Sequence, residues 1–270
     1  LSAIQMATIN SAVAYRIDHK VGLIAPGRLA DIVIVDDPAT FNVQQVIAKG
    51  ELVAQGGKMI VDLQPPARPA YLQGTLKVKP VTPDELKLRT DIDADEVNVL
   101  AISVTNEIFI RKRHDAVMKV SNGVVEPDVA RDLLYITVVE RYGKTNNRPT
   151  GIVSGFHLTS GALATSTSPD DNNIVCVGTN SEDMAIAINR IIESGGGQAV
   201  VNNGEILEFL ELPIAGIVSD IEPEEMAGFE ERLDAAARSL GCDLPWPLMY
   251  MFVLSITAIP DYAMTDLGVV

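Results

Sequence analysis

"NNIVCVGTNSEDMAIAINRIIESGGGQAVVNNGEI", residues 172–206, carries the reading of the fold. Ile174 to Gly178 is a short, mostly β-branched apolar run of the kind that forms a buried strand. From about Glu182 to Glu193 the apolar residues recur at helical spacing, and Gly195, Gly196 and Gly197 stop the helix. Residues 198–202 and 205–211 then read as a hairpin about Asn203-Gly204, two residues that tolerate φ > 0 and suit a type I′ turn. Upstream, strands are expected at 97–104, 106–111, 116–120 and 133–140. Downstream, Pro223 with Glu224 and Glu225 opens a helix that Gly241 ends near Leu240. The order predicts an α+β domain with a mixed or antiparallel sheet and flanking helices.

Composition bounds what such a chain can do. With 270 residues, 47% of them hydrophobic, it is long enough for one large or two ordinary domains with an ample core. Thirty-six acidic against 21 basic residues give a formal charge of -15, which repels nucleic-acid phosphates and anionic lipid, so neither nucleic acid nor a membrane is an expected partner. The most apolar segment, "LPWPLMYMFVLSITAIP" at 244–260, begins with two prolines and falls short of the roughly 20 apolar residues of a membrane helix; it reads as core. Cys176 and Cys242 make neither a disulfide framework nor a zinc ligand set, which predicts reduced thiols and a cytoplasmic protein. No secretory leader opens the chain, and "LSAIQMATINSAVAYRI" enters a helical pattern at once without an initiator Met, the look of a fragment.

Two regions separate. Residues 1–63 read as the opening helix, a strand from Ala30 to Val35 and a hairpin turning at Lys49-Gly50, a small sheet of three or four strands that is marginal alone. Residues 64–74, "QPPARPAYLQG", are a Pro-rich linker or an extended wrap. Residues 75–270 form the larger α+β domain.

On this frame the usual chemical motifs are missing. His19, His114 and His157 share no helix face and no short spacing, so no metal site is expected from this chain. The glycine triplet follows a helix rather than preceding one and reads as a cap, not a phosphate loop. "DIDADE" at 91–96 lacks the Gly and closing Glu of a calcium loop and reads as a solvated charge run. Ser154, Ser160 and Ser166 have no nucleophile-elbow context. Two polar features remain. Glu140-Arg141 follows the apolar strand "LLYITVV", where a carboxylate can serve as general acid, base or substrate anchor, or simply as half of a strand-end salt bridge. "SPDDNN" at 168–173 is either a turn, with Pro169 setting φ, or a polar loop delivered to a pocket by the strand that follows.

The motifs themselves resemble a known family. "GLIAPGRLADIVIVDD" (22–37) with "VIAKGELVAQGGK" (46–58) is similar to the stretch that follows the metal-dependent barrel in amidohydrolases, where it completes a small β-sandwich. The order "VVERYGKTNN", "GFHLTSGALATS", "GTNSEDMAIAINRIIESGGG", "LPIAGIVSD" and "FVLSITAIPDYAMTDLG" resembles the carboxy-terminal domain of adenine deaminases, over nearly the whole chain. The resemblance implies that the intact enzyme hydrolyses adenine to hypoxanthine and ammonia. It also implies that a dinuclear divalent metal site (Mn, Fe or Zn) sits in a barrel upstream of Leu1. This chain would then hold no cofactor, be inactive alone, and have the barrel portion and a purine-like small molecule as partners; a homo-oligomer is also expected. At the polar loop family members read His-Asp-Ser-His-Asn, where this chain has Pro169, Asp170, Asp171, Asn172 and Asn173. Asp170 and Asn173 keep the family's residue types, and both imidazoles are gone. Asp170, from the loop, and Glu140, from its place at the strand end, are the expected catalytic residues, and Asn173 and Asp171 of the loop with Arg141 of the strand end the expected substrate contacts. Two other readings stay open: another purine-like or cyclic amide substrate, and a non-catalytic interaction or stability module.

Overall fold

β-Branched runs flanked by glycine turns build most of what the computed structural model describes, namely residues 1–63, 67–105, 110–259 and 261–270. The chain divides into two compact units, Leu1–Ala67 and Arg68–Val270.

The smaller unit opens with one helical run, α1 (Ser2–Gln5) and α2 (Ser11–Ala14) joined by a π-helical segment, Met6–Asn10. Thr8 and Ser11 hydroxyls donate to the carbonyls of Ile4 and Met6, both at 2.6 Å, the back-bonding that locally loosens a helix. Four antiparallel strands follow in sequence order: β1 (Ile32–Val35), β2 (Val43–Ala48), β3 (Glu51–Gln55) and β4 (Lys58–Met59). Lys49 (φ 51°) and Gly50 (φ 87°) form the β2–β3 turn, as the sequence predicts. Among the described residues of this unit only Ala12 is buried.

The larger unit is a mixed sheet. Its strands are β5 (Glu96–Val104), β6 (Arg111–Ser121), β7 (Val124–Val125), β8 (Leu134–Val139), β9 (Thr150–Ser154), β10 (Ala162–Thr165), β11 (Ile174–Gly178), then, after helix α3 (Ser181–Ser194), β12 (Gly197–Asn202) and β13 (Glu205–Glu211). They pair in the order β13-β12-β10-β11-β8-β9-β5-β6-β7, antiparallel except for β5 with β9. Helices α4 (Pro223–Ser239) and α5 (Pro247–Leu254) precede a small terminal hairpin, β14 (Met264–Thr265) and β15 (Gly268–Val269).

Side-chain alternation puts two cores on the two faces of this sheet. Tyr135, Val139, Ile174 and Cys176 join Met184, Ile188 and Ile191 of α3 on one side. Leu134, Ile136, Val138, Val175 and Val177 join Leu233 of α4 and Met251 of α5 on the other. Strands β8 and β11 are therefore buried throughout, which is why their sequences are nearly continuous apolar runs, with Thr137 of β8 hydrogen-bonded to the Thr150 hydroxyl. The segment at 244–260 is core in part, through Tyr250, Met251, Val253 and Leu254 of α5. Among the described residues no helix is long and apolar enough to cross a membrane.

Gly195 ends α3 in the left-handed region (φ 82°). Gly196 has a second task, because a Cβ there would collide with Gly216 and lie 2.6 Å from the Leu212 carbonyl oxygen. The expected strands 106–111 and 116–120 are corrected: residues 111–121 are one strand, paired with β5 from Val104↔Arg111 to Glu96↔Lys119. His114 and Asp115 interrupt the apolar pattern but not the strand, since both are exposed near the edge of the sheet. Residues 106–109 of that expectation, and 64–66 of the expected linker, lie outside the described residues; Ala70–Leu72 form a 3-10 turn.

Candidate functional site

β8 and β11 lie side by side, with Val139 opposite Ile174. The residues that follow β8 and those that precede β11 therefore meet at one end of the sheet, and this pairing brings Glu140 and Arg141 to the polar loop 168–173.

Glu140 is buried, and its carboxylate accepts four backbone N–H groups: Tyr142 (2.6 Å), Lys144 (2.9 Å), Thr145 (3.0 Å) and Asn146 (3.2 Å). Burial by itself pushes this carboxyl's pKa up, but the four donors outweigh it and hold the group below its ordinary range. It stays ionised as the anchor of the turn that carries Tyr142 and Lys144. Arg141 is equally buried. Its Nη2 donates to the Ala215 carbonyl (2.8 Å) and its guanidinium lies 5.3 Å from the centre of the Tyr142 ring, while Nε and Nη1 are covered without a partner among the described residues.

The polar loop is held from three directions. Asn173 is buried and its Oδ1 accepts the Arg141 backbone N–H (3.2 Å). Asp171 accepts Asn173 N–H on one oxygen (2.9 Å) and the Asn173 side-chain amide on the other (2.8 Å). Burial raises the Asp171 pKa, with those two bonds working against it. The Tyr142 hydroxyl donates to the Asp171 carbonyl (2.6 Å), and below the loop the Ser168 hydroxyl meets that of Ser255, just past α5. Asp170 (φ 75°) and Asn172 (φ 51°) both sit in the left-handed region, which Asp and Asn tolerate better than most residues and which a framed loop can maintain.

The five residues expected at a site thus have different circumstances. Glu140, Asp171 and Asn173 spend their side-chain polar atoms on the frame, and Arg141 spends Nη2 there while its Nε and Nη1 stay without a partner among the described residues. Asp170 is exposed, and its carboxylate makes no hydrogen bond or ion pair among the described residues. A free carboxylate on a rigid loop can accept a hydrogen bond or a proton from an N–H donor. Sequence reasoning missed Tyr142, Ser168 and Ser255 as members of this frame, and with partners 29 and 87 residues away no local pattern marks them. Among the described residues no three His, Cys, Asp or Glu side chains group to hold a metal, so these side chains do not fit the metal pair that the resemblance implies.

The sequence is similar to known proteins along its whole length. Residues 109–270 fit the family described as adenine deaminase C-terminal domain, and residues 1–53 fit the amidohydrolase family. Adenine deaminase 4 of Rhizobium meliloti (strain 1021) is 58% identical over 100% of this chain and 45% of its own length. Adenine deaminase 1 of Desulfotalea psychrophila is 52% identical and that of Latilactobacillus sakei 47%, each over 99% of this chain and 45% of the relative. The chain spans a little under half the length of these relatives. With more than half of its residues matched to one domain, the chain belongs to the adenine deaminase C-terminal domain family.

Proposed function

We propose that this chain is the carboxy-terminal part of an adenine deaminase-like hydrolase. The whole enzyme adds water to adenine and releases ammonia, leaving hypoxanthine. The observation that carries this reading is the 58% identity, over the full chain, to a protein named adenine deaminase. The metal pair, of Mn, Fe or Zn, is held by residues of the barrel portion, which is this chain's partner in the same polypeptide; the chain alone is inactive. The enzyme works in the cytoplasm as a homo-oligomer.

This chain's contribution is the loop 168–173 at the purine. Asp170 is its working group: it accepts a proton or hydrogen bond at a carboxylate oxygen from a substrate N–H. Asn173, Asp171 and Arg141 set the loop's shape and with it the purine contact, and Glu140 fixes the adjoining turn. Support comes from the one carboxylate of the loop left without a partner, on backbone held at both ends. With no imidazole in the loop, proton acceptance here falls to a carboxylate.

The test is ammonia release by the full-length protein from a panel of adenine, other aminopurines and cyclic amides. Adenine should be the substrate with the highest kcat/KM. Preference for a cyclic amide would assign the same architecture to another substrate, and no turnover of any of them would reduce the chain to a stability module.

A further inference from the structure

Trp246 is the chain's sole tryptophan, and it is 67% exposed. It stands between Pro245 and Pro247 with φ 54°, a backbone region that a bulky residue rarely enters and that a following proline disfavours further. Strain of this kind persists where surrounding structure imposes it, often beside a ligand.

Trp246 borders an open cavity of about 230 Å³ on the α4–α5 side of the sheet. Leu233, Leu248, Met249 and Phe252 supply the rest of its apolar wall. Glu230 and Asp234, one turn apart on α4, supply its charge, and Gln198 and Thr167 add two neutral polar side chains. Like charges at this spacing repel on a helix surface. Yet neither carboxylate makes an ion pair or hydrogen bond among the described residues, whereas Arg232 between them is taken by Glu208 at 2.7 Å. Asp234 is partly buried, and that burial raises its pKa although Arg238 lies a turn away.

An aromatic wall and two carboxylates without a hydrogen-bond or ion-pair partner among the described residues, with no Lys or Arg in the cavity wall itself and Arg238 reaching Asp234 only at a distance, form a complementary surface for one kind of molecule. Anions are repelled here, a neutral apolar ligand leaves the carboxylates unpaired, and an aliphatic cation forgoes ring stacking on Trp246 and Phe252. We propose that this cavity binds a small planar aromatic cation, a ring of one or two fused cycles bearing an amidinium or a protonated ring nitrogen, with the ring against Trp246 and Phe252 and its N–H donors on Asp234 and Glu230. Cation–π attraction to tryptophan and charge-assisted hydrogen bonds then act on the same ligand. The volume lies below that of drug-sized pockets, which fits a ligand of this size. The inference makes no use of the proposed activity.

The single tryptophan makes the experiment direct. Benzamidine is titrated into the purified chain with Trp246 fluorescence as readout, against benzoate, which has a ring of the same size and the opposite charge. We expect a saturable change with a dissociation constant near the millimolar level, in keeping with the few atoms of the probe, and binding of benzoate at least about tenfold weaker. Asp234→Asn with Glu230→Gln should weaken benzamidine about tenfold or more while leaving the thermal melt in place. Trp246→Phe, followed by calorimetry, should weaken it less. No saturable change, equal binding of benzoate, or an unchanged benzamidine affinity in the double variant would each overturn the assignment.

Discussion

Ser168 and Ser255, 87 residues apart in the chain, meet hydroxyl to hydroxyl beneath the polar loop, and both are buried. This contact joins the loop to the end of α5, so the loop's geometry depends on a helix far along the sequence. Ser255→Ala leaves the Ser168 hydroxyl without that partner. We expect a loss of about 1 kcal/mol, measured by urea unfolding, and a coupling of similar size in a double-mutant cycle with Ser168→Ala. Additive single effects would mean the two hydroxyls do not support each other.

Glu140→Gln should cost more, about 3 kcal/mol, because the charge is lost and an amide has one acceptor oxygen: with that oxygen on the Lys144, Thr145 and Asn146 donors, its NH2 faces the Tyr142 N–H. The pH dependence has a definite sign. The folded pKa is depressed, so the carboxylate's stabilisation is complete above its unfolded value of about 4.3 and is lost as pH falls through the lower folded value. Unfolding followed from neutral pH down to the acid range should therefore show a decline in stability that is shallower in Glu140→Gln than in the parent, the remainder coming from other carboxyls held low, such as Asp84 and Asp128.

Residues 20–60 present Val33, Ile34, Val43, Leu52 and Met59 to solvent, and the outer sides of β1 and β4, the edge strands of their sheet, have no strand partner among the described residues. Exposed apolar strands with open edges pair with another chain or aggregate. Sedimentation velocity on the purified chain should show self-association, reduced by Val33→Lys. A monomer at all concentrations would count against this surface.

How much was legible in the sequence follows from the range of each interaction. The Asn203-Gly204 and Lys49-Gly50 turns, the Gly195 stop and the nearly continuous apolar runs of β8 and β11 are set by turn chemistry and period, which are local. The single strand β6 is not legible because Lys112 to Asp115 are exposed in succession, on both faces of the sheet next to its edge, where the apolar alternation lapses while the pairing with β5 continues. Around the polar loop, Glu140, Asp171 and Asn173 stand out in the sequence as polar residues beside apolar strands, but their bonding partners do not. The Glu140 carboxylate takes backbone N–H groups rather than Arg141, and Tyr142 reaches the Asp171 carbonyl across 29 residues. Such pairings exist only once β8 and β11 are neighbours.

The purified chain should release no ammonia from adenine, with or without added manganese or zinc, because its described residues supply no cluster of metal-binding side chains. A coupled ammonia assay checks this directly. Turnover above the buffer rate would show that the chain carries a complete active site.

Asp170→Asn is the sharpest test of the loop, since it keeps the shape of the side chain and its tolerance of the left-handed region while removing the charge. In the full-length enzyme turnover should fall by about 10² to 10⁴, the usual range for a lost acid or base group. The melting temperature should barely move, since this exposed carboxylate has no partner among the described residues to lose. Glu140→Gln should do the reverse, lowering the melting temperature first and turnover only as far as the loop's neighbour is disordered. The two variants separate a group that acts on substrate from one that holds backbone. Unchanged kcat and KM in Asp170→Asn, together with lost turnover in a fully folded Glu140→Gln, would make the strand-end carboxylate the working group and the loop a turn.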